Sequence, residues 1–102
     1  MVYKANTKKR EKTDFIAIHC SATANQNFGA ADIDKWHRKQ GWTCIGYHYV
    51  IRRDGTVEQG RDEAVVGAHV ADWNSVSLGI CMVGGVSADD HTKAQNNFTK
   101  AQ

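Results

Sequence analysis

The chain has 102 residues, 41% hydrophobic and 24% charged, with nine glycines, no proline and a formal net charge of +2. That size suits one domain with one core, burying roughly 60–70% of the surface its unfolded form exposes, and the composition excludes a disordered, fibrous or repeat protein. No run approaches the roughly 20 apolar residues of a membrane span. The charged start lacks the apolar stretch of a secretion signal, so no membrane partner is expected and the starting compartment is cytoplasmic.

Residues 1–12 carry Lys4, Lys8, Lys9, Arg10 and Lys12 against Glu11 alone, so a basic arm precedes a slightly acidic body. Such an arm can reach toward a nucleic acid, an anionic wall polymer or an acidic protein surface, but it reads first as a frayed, solvated terminus. Direct nucleic-acid binding is not expected. Cys20, Cys44 and Cys81 are odd in number and widely spaced, which signals neither a disulfide framework nor a zinc knuckle.

The apolar, β-branched run Asp14 to Cys20 predicts a buried strand that ends at His19 and Cys20. After a polar loop, Ala30 to Gln40 switches to a helical period, with Ile33, Trp36, His37 and Gln40 on one face. Asp34 and Arg38 form an i,i+4 pair, and Gly41 supplies the stop. The segments 46–52 and 56–59 flank Arg53-Asp54-Gly55, a strong hairpin signal for two antiparallel strands. Alternation along the first of these places His48 opposite Tyr47 and Tyr49. An irregular stretch, 61–74, leads to a central strand over 76–83, closed by Gly84-Gly85. At the end, Thr99 is placed as the N-cap of a helix. The expected class is α/β with a mixed central sheet. One helix covers only one sheet face, whereas stable α/β layers bury both, so a segment or a partner is expected to complete it.

Five histidines in one small domain invite a metal or acid/base reading. His19 ends a strand, a rigid place from which to present a ligand, although a satisfied strand-end histidine is the simpler reading. His37 sits on the apolar helix stripe beside Trp36, where packing explains it. His69 lies in a loop, where substrate contacts occur, and His91 lies in a polar, solvated one. No H-E-x-x-H, G-x-S-x-G or phosphate-cradling loop is present, so spacing alone licenses only an α/β domain with a possible histidine cleft.

Four ordered stretches go further. Ile16-Ala17-Ile18-His19-Cys20-Ser21-Ala22-Thr23, the run from Ile33 to Trp42 followed by 45–51, Asp54-Gly55-Thr56-Val57-Glu58-Gln59-Gly60-Arg61, and Gly67-Ala68-His69 with Asn74 and 77–85 together resemble the type-2 N-acetylmuramoyl-L-alanine amidases. The likeness is greatest to small phage lysozymes that are chemically amidases, with peptidoglycan recognition proteins as more distant relatives. Beyond the basic arm at 1–12, it implies over 13–102 the N-terminal two thirds of an amidase domain, with the C-terminal helix and final segment missing.

The resemblance further implies a zinc enzyme (Zn2+ held by two histidines and a cysteine) that cuts the amide between N-acetylmuramic acid and L-alanine in peptidoglycan. Only His19 maps onto the metal ligands. Tyr47 maps onto the catalytic tyrosine, which orients the attacking water and hydrogen-bonds the oxyanion, while His69, Trp36 and His37 could line the substrate groove. With one ligand, this chain alone is expected to show little amidase activity and to reach the wall only after the membrane is permeabilised. Two alternatives stay open. Lysozymes of this type also contact their own phage RNA polymerase, which implies a non-catalytic regulatory or wall-binding module; the other is a functionless remnant.

Overall fold

The computed structural model describes residues 3–4 and 8–102. Four strands form one mixed sheet: β1 (Phe15–Cys20), β2 (Tyr49–Ile51), β3 (Val57–Gln59) and β4 (Ser77–Met82), in the order β1-β4-β2-β3. β4 runs parallel to both β1 and β2, and β2 pairs antiparallel with β3. The hairpin closes as its Asp-Gly signal requires: Gly55 adopts φ +89, its N–H donates to the Arg52 carbonyl at 2.9 Å, and Asp54 accepts from the Thr56 N–H.

The helix α1 spans Ala30–Lys39, and Gly41 follows its C-cap at φ +94. Its first turn is satisfied from two sides. Asp32 accepts the Gly29 N–H, and Glu58 reaches across from β3 to accept the Ala30 N–H. Asp34 pairs with Arg38 at 2.7 Å, and its other oxygen accepts the Ile45 N–H. Ala30 and Ile33 of the helix meet Cys44, Ile45, Val50, Cys81 and Val83 in the core. Gln40, expected on the buried stripe, is exposed, because it caps the helix and the chain turns at Gly41.

Among the described residues only one sheet face is covered, so β1, expected as a buried strand, has no buried residue. Ile16 and Ile18 on β1 remain 60% and 61% exposed, and their register partners Leu78 and Ile80 are half-buried. Alternation explains this: Ser77, Gly79 and Cys81 point into the protein while Leu78, Ile80 and Met82 point out.

Two expectations change. The strand predicted over 46–52 is only Tyr49–Ile51, because the backbone before it is used elsewhere: the Gly46 N–H donates to His37 Nδ1, and the Gly46 carbonyl accepts from Ala68. The basic arm, where described, is not a solvated terminus. Val66 donates to the Lys8 carbonyl, Arg10 to that of Ala64 and Glu11 to that of Ser75, while the Arg10 guanidinium caps the Glu63 carbonyl. Tyr3 donates to Gly60.

The last residues carry the geometry expected of Thr99. Its N–H donates to Gln102 Oε1 and the Gln102 N–H returns to Thr99 Oγ1, the reciprocal bonds of a capping box. Gln102 Nε2 also donates to the carbonyls of Ile51 and Val83, which ties this turn to the ends of β2 and β4.

Candidate active site

His19, His37, Tyr47, His48 and His69 gather where β1, β4 and the start of β2 meet α1. The Tyr47 ring lies 5.3 Å from that of His19, 5.5 Å from His37 and 6.5 Å from His69, centroid to centroid. His69 arrives from its loop, held by Asn74, whose Oδ1 accepts the main-chain N–H groups of both His69 and Val70.

Each ring is oriented by a specific partner. His37 Nδ1 accepts the Gly46 N–H at 2.9 Å, so neutral His37 carries its proton on Nε2. His48 is fully buried: Nδ1 accepts the Gly79 N–H at 3.0 Å, and Nε2 donates to the Val65 carbonyl at 2.8 Å. It is therefore a structural histidine, and because residues 46–48 are not strand, His48 and Tyr47 both come within reach of His69 instead of facing opposite ways. His19 Nε2 and His69 Nδ1 are 2.9 Å apart. Burial lowers the pKa of all four, most for His69, pushed down to about 4 by burial and then by the neighbouring His19 and His48. These rings are neutral at pH 7.

Burial, aided by Cys81, drives the Tyr47 phenol well above its ordinary range. The Cys81 thiol is itself raised to about 12, chiefly by burial, and its hydrogen bond with Tyr47 only partly offsets this. Tyr47 is a firmly protonated donor and Cys81 a thiol, inert as a metal ligand.

Trp36 does not join the cluster: its ring packs edge-on against Phe28 at 5.0 Å, beside the core. The neighbouring indole is Trp42, 4.4 Å from His37, returned there by the turn at Gly41 and a bond from its N–H to the His37 carbonyl. His91 is exposed in its loop. Sequence reasoning also passed over Ser77 and Gly79, which lie under His69; neither residue type signals such a role.

A family model described as N-acetylmuramoyl-L-alanine amidase matches residues 9–102. The endolysin of Escherichia phage T7 is 54% identical over 96 residues, covering 93% of this chain and 62% of that protein. Among solved structures, the Clostridium intestinale endolysin LysCS, an N-acetylmuramoyl-L-alanine amidase, aligns with TM-score 0.69 at 33% identity over 83% of this chain and 59% of its own. Drosophila PGRP-LB aligns at 0.71 and 27%, over 80% and 54%. The mixed four-stranded sheet with its helix is that of a type-2 amidase fold. The chain belongs to the N-acetylmuramoyl-L-alanine amidase family and spans somewhat under two thirds of the length of the endolysins it matches.

A catalytic zinc takes three protein ligands and keeps one open position. Among the described residues no group of three or more histidine, cysteine or acidic side chains could hold a metal ion. His19 and His69 offer nitrogens, but their facing atoms are engaged with each other, so these residues alone do not fit a complete zinc site.

Proposed function

We propose that this chain is the Tyr47-bearing portion of an endolysin that hydrolyses the amide between N-acetylmuramic acid and L-alanine in peptidoglycan. The observation that carries the reading is the packing of Tyr47 between His19 and His37 in a chain of this family. Tyr47 stays protonated, so it acts as a hydrogen-bond donor and not as a base. Its phenol is suited to donating to an oxyanion on the scissile carbonyl. His37 presents Nε2–H, and His69 and Trp42 complete a polar, aromatic wall for the glycan and peptide stem, while Trp36, packed on Phe28, takes no part in it.

Zinc dependence belongs to this reading, with His19 as one ligand, and a three-ligand site needs two donors that the described residues do not supply. Residues 13–102 form the domain, and the basic arm braces it. Among the described residues no helix is long and apolar enough to cross a membrane; action on the wall after membrane permeabilisation is part of the proposal. The polymerase-contact alternative gains no observation, since Arg10 is spent on the carbonyls of Glu63 and Lys12 and on Thr13.

Cosedimentation with purified peptidoglycan, and zinc-dependent release of peptides beginning with L-alanine, test the reading. Retention that weakens in His37→Ala and Tyr47→Ala supports it. A chain that neither sediments with the wall nor releases peptide overturns it.

A further inference from the structure

Ser77 Oγ donates its one hydrogen to the Trp73 carbonyl, 2.8 Å away, because a carbonyl can only accept. Toward His69 Nε2, at 3.4 Å, the same oxygen is then an acceptor. His69 Nε2 therefore carries the proton, and in a neutral imidazole Nδ1 is left as the acceptor. The atom facing it at 2.9 Å is His19 Nε2, which must be the donor. We infer that Ser77 and His69 are positioning residues that hold His19 in a single tautomer, protonated on Nε2 with Nδ1 bare.

The consequence concerns how the candidate ligand is presented. His19 lies near the end of β1, with its ring on the inner face of the sheet beside Tyr47 and His69. No described residue hydrogen-bonds its Nδ1, so that lone pair is the one available to a cation or a proton. A free imidazole interconverts its tautomers, whereas this ring has the choice made for it by a hydrogen-bond chain that starts at the Trp73 carbonyl. Gly79 makes room for the chain, since the His69 ring occupies the space of a β-carbon there. The inference rests on the amidase reading only for the importance of His19.

Long-range proton–nitrogen NMR of the labelled 102-residue protein, at pH 7 without metal, reads the tautomers directly. The wild type should show His19 and His69 each as a single Nε2–H form. His69→Phe keeps the ring but removes the acceptor, and should turn the His19 signal into a tautomer mixture. His69→Asn, with a carbonyl oxygen in place of Nδ1, should restore the single form. An Nδ1–H form of His19 in the wild type overturns the inference without any variant, as does an unchanged His19 in a folded His69→Phe protein. Neither result bears on wall binding or peptide release, so failure here is distinguishable from failure of the amidase reading.

Discussion

His69 lies against Gly79 so closely that a β-carbon on Gly79 would stand 2.5–2.7 Å from three atoms of its ring. Real side chains do not tolerate such contacts, and His69 is held from behind by Asn74 and at its edge by Ser77 and His19. Gly79→Ala should therefore push the ring off β4, costing about 1–3 kcal/mol by overpacking and separating His69 from His19. Denaturant unfolding reads the first effect, and the histidine nitrogen shifts read the second. An alanine variant of unchanged stability and unchanged shifts would contradict this geometry.

His48 takes the place of a strand neighbour. Since β2 starts at Tyr49, the Gly79 N–H finds its acceptor in the His48 side chain, and the Val65 carbonyl finds its donor there. His48→Leu fills the same space but orphans both groups, at a cost of about 1–3 kcal/mol each. The drop in unfolding midpoint should exceed that of a Tyr49→Leu control, whose phenol bonds only the exposed Glu63.

Acid should weaken the fold. His19, His37, His48 and His69 all have lowered pKa values when folded, chiefly from burial, from an ordinary 6.5 down to about 4 at His69. The unfolded chain then binds more protons than the folded one between these limits, so stability is complete above about pH 6.5 and falls as pH drops toward 4. Urea midpoints at pH 7.5, 6, 5 and 4.5 should decline in that order, and less steeply in His48→Leu. A flat profile would mean that these rings are not buried neutral.

Asp34 does two things with one carboxylate, and substitution separates them. Its contact with Arg38 is an exposed i,i+4 pair worth about 0.3–0.5 kcal/mol, while its bond to the N–H of fully buried Ile45 spares an orphaned donor worth about 1–3 kcal/mol. Asp34→Asn keeps an oxygen for Ile45 and should cost little. Asp34→Ala should cost several times more, measured by thermal or urea unfolding.

What could be seen in the sequence was local. Asp54-Gly55 dictates a hairpin because glycine enters the left-handed region freely. Thr99 reads as a cap, and its hydroxyl does accept the Gln102 N–H. His19 could be placed at a strand end because β-branched residues lead into it. The expectation of an uncovered sheet face followed from counting layers. What escaped depends on distant chain. Ser77 and Gly79 acquire their roles only because a loop eight to ten residues earlier lays His69 over them. The helical stripe pointed to Trp36, but the reversal at Gly41 returns Trp42 to His37. The arm was misjudged because its charges suggested solvent while its backbone pairs with 60–66 and Ser75.

The bare outer face of β1 and β4 also affects how the stability of this chain is to be measured. A partner that recognises the folded arrangement of Ile16 and Ile18 binds the folded chain in preference to the unfolded one, and by mass action raises the apparent free energy of unfolding with its own concentration. A second copy of the same folded chain qualifies. Midpoints for variants of this protein are therefore comparable only at one fixed protein concentration and in one buffer, and a dilution series belongs beside every unfolding curve.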